Sequence, residues 1–299
     1  MKKQLLSYKF KRKFRNLDLL FFLGPYAVTF FVFTILPVVV SYFIAFTQFN
    51  TMEFPVWVGL ENYRRLFLEE QYFMLCLQNS FVLASISGPL NYLVAFGFAW
   101  VLNEVPPKPR TVLTLLFYLP SMSGGFDVIM NMLLSSDRYG WINGFLLKVG
   151  AISDPIQWGQ TEEIMLPLAI ILMLYGALGA QFLVFLSSLQ GVDRSLYEAG
   201  AVDGISNRWQ ELYYITLPSI KGQLMLNAIL TITAAVNIGA PALFGNPTYN
   251  YKLYTLSMLA GEYSGRLEMG YVTAISSIML VISVTINKVV QYLIGKIGR

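Results

Sequence analysis

Long apolar stretches, each closed by charged or proline-rich residues, recur along the chain. No charged residue lies between Asp18 and Glu53, and none between Glu70 and Glu104. A helix needs about 20 mostly apolar residues to cross the hydrocarbon of a bilayer. The pattern predicts six spans, over 19–46, 74–102, 111–134, 164–189, 220–244 and 270–294. The first is too long for a signal-peptide core, has no small-residue cleavage site and is followed by other spans. Gly24, Pro25 and Pro37 predict a bend in it or shaped ends. Val105-Pro106-Pro107-Lys108-Pro109-Arg110 predicts a stiff turn that stops the second span and restarts the chain as the third. The expected fold is all-α, a polytopic membrane protein of six transmembrane helices in one domain. A basic tail occupies 1–17, the membrane domain 18–295 and a short end 296–299.

Composition strengthens this reading. The 299 residues are 56% hydrophobic and 13% charged, against about 25% charged in a soluble domain. Mean hydropathy is +0.56, so too little polar surface remains to cover a water-soluble globule. The net charge of +4 does not point to nucleic acid. Its largest cluster, Lys2, Lys3, Lys9, Lys11, Arg12, Lys13 and Arg15, sits just before an apolar run, where it reads as an anchor for anionic lipid.

Six spans put both termini on one side. With the termini inside, Lys108, Arg110, Arg194, Arg208, Lys221, Lys288, Lys296 and Arg299 join that cluster in inner segments. Arg64, Arg65, Arg138, Lys148, Lys252 and Arg266 fall outside. The excess of inner basic residues predicts cytoplasmic termini and outer loops near 49–73, 135–163 and 246–269.

Catalytic chemistry has little to work with. There is no histidine and one cysteine, Cys76, so the commonest acid–base group and any intrachain disulfide or thiolate zinc site are excluded. No Gly-x-x-x-x-Gly-Lys-Ser/Thr phosphate loop occurs, so no ATP site is expected. The reading is of a protein that is not an enzyme and holds no metal or cofactor of its own.

The segment between the fourth and fifth spans, about 190–218, carries the most specific signal. Asp193 or Ser195 can cap a short helix running through Glu198 and Ala199. Asp203-Gly204 is a turn signal, with Gly free to take positive φ. A second helix is expected from Ser206 or Asn207, with Trp209 and Leu212 on one face, ending at Pro218. Ala199, Gly200 and Ala201 would let another backbone approach, and Glu198 and Asp203 offer negative charge. The alternative is a hairpin that merely connects two spans.

Glu198-Ala199-Gly200, Asp203-Gly204 and Ile215-Thr216-Leu217-Pro218 resemble the cytoplasmic signature of binding-protein-dependent ABC importer permeases of the carbohydrate-uptake type. Phe46-Thr47-Gln48-Phe49, Val58-Gly59-Leu60-Glu61-Asn62-Tyr63, Phe117-Tyr118-Leu119-Pro120 and Gly140-x-x-Asn143 are similar to the maltose and glycerol-phosphate permeases. The resemblance runs from about 17 to 295. Two departures are Gly200, which replaces the third residue of the family's triplet, and one extra residue between Gly204 and Arg208.

The resemblance implies the type I importer architecture, with the hairpin as a coupling helix in a groove of a separate ATPase. Glu198, Ala199, Gly200, Asp203 and Gly204 carry that role by residue match, with Gly204 the turn and Glu198 an ion-pair partner. ATP and magnesium would bind the partner ATPase dimer. The other implied partners are a second homologous permease and an external solute-binding protein that delivers a sugar. The implied location is the bacterial cytoplasmic membrane.

Substrate-pathway candidates are Ser121, Gly125, Gly176, Ala180 and Asn237, by match to the family, and Asp127 with Asn131 four residues on. A charge at membrane depth costs at least about 2.5 kcal/mol, so Asp127 faces a cavity or partner unless it lies near the outer surface. Tyr175, Gln181 and Asn227 read as helix–helix hydrogen-bonding groups. Trp100, Trp141 and Trp158 read as interface anchors. Alternatives to sugar import are a phosphorylated polyol as substrate, or a stand-alone secondary transporter.

Overall fold

The computed structural model describes residues 21–123, 126–176, 179–237, 239–245 and 247–296, with the side chains of 120–123, 126, 127, 176, 180 and 242 outside that description. The chain is mostly helical. Three helices are long and apolar enough to cross a membrane: α1 (Phe21–Ile44), α3 (Phe73–Asn103) and α13 (Met269–Ile294). A fourth appears if α10 (Arg208–Ser219) and α11 (Lys221–Val236), bent by 80° at their junction, count as one. Between them lie α2 (Glu61–Leu68), α4 (Pro107–Ser123), α5 (Phe126–Leu133), α6 (Trp141–Val149), α7 (Glu162–Gly176), α8 (Ala180–Gln190), α9 (Arg194–Val202) and α12 (Leu256–Gly265).

The third expected span is described as α4 and α5 on either side of 124–125, and the fourth as α7 and α8 on either side of 177–178. The fifth ends at Val236, short of the expected 244. Asn237 closes it by donating its backbone N–H to Thr233 O at 3.3 Å, and Pro241 follows soon after.

Contacts divide the chain into two compact units. One holds residues up to Leu66 with Tyr263–Ser277, the other Phe67–Glu262 with the residues from Ile278 on. In the first, α1 buries nothing in its most apolar window. A short antiparallel pair, β1 (Thr47–Gln48) with β2 (Val56–Trp57), follows it, setting Thr47 opposite Trp57. Asn62 ties this pair to α1, its Nδ2 donating to Ala45 O and Thr47 O at 2.9 Å each. A Cβ at Gly270 would overlap the Thr47 carbonyl, so the close approach requires glycine. Arg65 meets Glu268 at 2.6 Å, and its guanidinium lies 4.6 Å from the Tyr271 ring centroid. The Val58–Tyr63 stretch thus works as bracing.

In the second unit α3 is the central element, packed by α8, α11 and α7. Fully buried Ala95 and Ala99 let Phe182 and Phe185 of α8 and Leu224 of α11 come close, as small residues do between membrane helices. A second cluster joins Leu83 of α3 to Met165, Ala169 and Leu172 of α7. Asn143 is wholly buried. Its Nδ2 donates to Ser135 O and Ile156 O, and its Oδ1 accepts from Ile156 N at 3.1 Å, which stitches the loops around α6.

Candidate functional site

Asp193 accepts a hydrogen bond from Ser195 N at 3.0 Å and so caps α9. That bond holds its carboxyl below the usual aspartate range. At the other end Gly204 has φ +90°, and Ile205 N reaches back to Gly200 O at 2.9 Å, a C-terminal closure that suits a left-handed glycine. Asn207 then caps α10, accepting from Trp209 N at 2.9 Å.

The two arms are held face to face. Tyr197 Oη and Thr216 Oγ1 are 2.9 Å apart. Gly200 is buried, and a Cβ there would lie 2.6 Å from Ile215 Cδ1. The small residue therefore serves packing inside the hairpin, while Glu198, Ala199, Ala201, Asp203 and Gly204 are exposed. Val202, 88% exposed, adds an apolar side chain to that outer face.

Pro218 does not end the second arm. The wide π-helical turn Leu212–Thr216 precedes it and the helix runs on to Ser219. Ser219 Oγ takes the Ile215 carbonyl at 2.6 Å, and the wide turn makes room for the proline ring. The chain then turns at Ile220 into α11. Trp209 is exposed where Leu212 is buried, so they do not share one apolar face. Trp209 instead lies against Trp100 of α3, ring centroids 5.0 Å apart and planes tilted by 52°.

Charge fixes the hairpin to the end of α3. Arg208 pairs with Glu104 at 2.7 Å and with Glu211 at 2.8 Å. Arg110 donates to Asn103 O and Val105 O, locking the proline-rich turn. A cavity of about 510 Å³ opens between these parts, with Arg110, Arg194, Tyr197 and Thr216 in its wall. The long-range Arg208–Glu104 pair had no signal in the sequence, since 104 positions separate the partners.

The pathway candidates fall partly outside the described residues. Gly125 lies outside the described residues, as do the side chains of Ser121, Asp127 and Ala180. Gly176 closes α7 and Ala180 opens α8. Asn131 is exposed beside an open depression of about 460 Å³ that also meets Ser135 and Asp137. Asn237 is exposed and donates to Thr233 O at 2.7 Å. No hydrogen bond among the described residues joins Asn131 to Asn237. Thr233 also accepts from Asn287 of α13 at 3.2 Å, a polar seam not singled out from the sequence. Asn227, fully buried, donates weakly to Gln181 O at 3.5 Å, and its Oδ1 has no partner.

A polytopic helical membrane protein with a capped, internally braced hairpin exposed on one side is a permease-like architecture. No protein-family profile matches the chain. YesP of Bacillus subtilis (strain 168), a "probable ABC transporter permease protein", is 31% identical over 269 residues, covering 87% of this chain and 85% of YesP. The polygalacturonan/rhamnogalacturonan transport system permease YteP of the same organism is 28% identical over 293 residues, covering 94% and 89%. The arabinooligosaccharides transport system permease AraP is 26% identical over 286 residues, covering 92% and 87%. A solved bacterial ABC transporter involved in import of the acidic polysaccharide alginate shares the fold, with TM-score 0.73 and 22% identity over 97% of this chain and 99% of that one. The chain belongs to the ABC transporter permease family.

Proposed function

We propose that this permease is the transmembrane subunit of an ATP-driven importer for a sugar or oligosaccharide. Related permeases carry names for lactose, arabinooligosaccharide, maltodextrin and polygalacturonan/rhamnogalacturonan transport, which supports the substrate class. In this reading α4 with α5, and α7 with α8, each belong to one span, giving six, with both termini in the cytoplasm. A second homologous permease completes the translocation unit, an ATPase dimer grips the hairpins from inside, and an external binding protein delivers the sugar.

The hairpin carries the reading. One face is braced by Tyr197–Thr216 and Gly200–Ile215, while Glu198, Ala199, Asp203 and Gly204 on the other face are left exposed by the described residues. Bracing lets the hairpin move as one piece when the ATPases close, and the junction at Ile220 passes that motion to α11. Alternating access about a site near the midplane follows. The test is reconstitution. The chain with its co-expressed ATPase and second permease takes up sugar only with ATP and loaded binding protein. Uptake by the chain alone, without ATP, contradicts the reading.

A further inference from the structure

Two neighbouring cavities near the proline-rich turn share Arg110 and Gln190 in their walls. One is the polar cavity of about 510 Å³ beneath the hairpin. The other, about 400 Å³, runs along α4 and α8 between Leu115, Tyr118, Leu183 and Leu186. A polar chamber that shares wall residues with an apolar groove along α4 and α8 suits an amphiphile.

The charges fit an anionic head. Arg208 is matched by Glu104 and Glu211. Arg110 spends its hydrogen bonds on the carbonyls of Asn103 and Val105, which fix its guanidinium without cancelling its charge. Arg194 is exposed, and no carboxylate pairs with it among the described residues. The cavity wall thus carries three guanidinium groups against two carboxylates, a net charge of +1, with Arg110 and Arg194 at the mouth. Basic pockets between spans on the cytoplasmic side hold anionic headgroups.

The geometry points to a bound anionic phospholipid, its phosphate at Arg110 and Arg194 and one acyl chain along Leu115, Leu183 and Leu186. This rests on the importer reading only in taking this end of the spans as the cytoplasmic one. A lipid so held would wedge the hairpin against the turn between α3 and α4 and make coupling depend on leaflet charge.

The test uses the assembled permease–ATPase complex in mild detergent with equal phosphatidylglycerol and phosphatidylcholine, read by native mass spectrometry. Phosphatidylglycerol is retained selectively. Arg194→Gln, an exposed position, lowers retention about fivefold, Leu183→Trp fills the groove and removes it, and millimolar inorganic phosphate leaves it in place. Equal retention of both lipids, or unchanged retention in both variants, overturns the proposal. So does displacement by phosphate with Leu183→Trp without effect, which marks a free-anion site. Loss of the ATPase from the unmodified complex counts instead against the coupling reading.

Discussion

The Cβ that Gly200 lacks would lie 2.6 Å from Cδ1 of Ile215 on the facing arm of the hairpin. The atom in the way is the free end of a side chain. Gly200→Ala therefore needs only a small shift of Ile215 and lowers stability little. Gly200→Leu pries the arms apart, at about 1–3 kcal/mol. Hydrogen exchange of 194–219 in the purified protein separates the two: near-native protection for alanine, and loss of protection in both arms for leucine.

Gly204 has open space around it but φ +90°. Its constraint is the backbone, not room. Gly204→Ala costs about 1–2 kcal/mol for a left-handed conformation, and Gly204→Asn costs less because asparagine tolerates it. ATPase co-purification should fall in the order glycine, asparagine, alanine. An order set by side-chain size would contradict the backbone argument.

Arg208 and Glu104 form a partly exposed pair, the side chains 63% and 44% accessible. Such pairs contribute about 0–1 kcal/mol. In a double-mutant cycle, Arg208→Gln and Glu104→Gln should show a coupling energy in that range that shrinks as salt rises. Exchanging the charges, Arg208→Glu with Glu104→Arg, should recover part of the transport lost by either alone.

Asp193 bonds the Ser195 amide, which lowers its carboxyl pKa. The sign follows from linkage. The cap contributes above the unfolded aspartate value of about 3.9 and is lost as pH falls through the still lower folded value. Exchange protection of the first turn of α9 should stay flat from neutral pH to about 4 and drop below it. In Asp193→Ala it should be lower throughout and show no such drop.

In the unit that holds α1, Arg65 combines the Glu268 ion pair with the Tyr271 ring face. Lysine keeps the charge but loses the planar stacking and the fork. Arg65→Lys should lower thermal stability by about 0.5–1 kcal/mol, and Glu268→Gln in that background should add little. Full additivity of the two changes would count against one shared cluster.

Apolar runs and proline punctuation were enough to mark the three helices long and apolar enough to cross a membrane, because hydropathy is a property of each segment alone. The caps Asp193 and Asn207 and the turn at Gly204 were legible for the same reason: each is decided within a few residues. Legibility stopped where two distant segments meet. Nothing near Gly200 in the chain announces Ile215, so its small size read as room for a partner. Nothing near Glu104 announces Arg208. Pro218 read as a helix end because the wide turn before it, which seats the ring, has no sequence signature of its own. Asn62, Asn143 and Gly270 belong to matched or unremarkable stretches whose role as loop braces appeared only in three dimensions.

The central claim is that the exposed face of the hairpin is gripped by a separate ATPase. Cys76, the only cysteine, is buried, so a Cys76→Ala background allows one new thiol at Asp203. In sealed cells with the co-expressed ATPase, Asp203→Cys should cross-link to that subunit, with a yield that changes on ATP binding, and should resist membrane-impermeant reagents added outside. Labelling of that thiol from outside, with no cross-link in an assembled complex, would contradict the account.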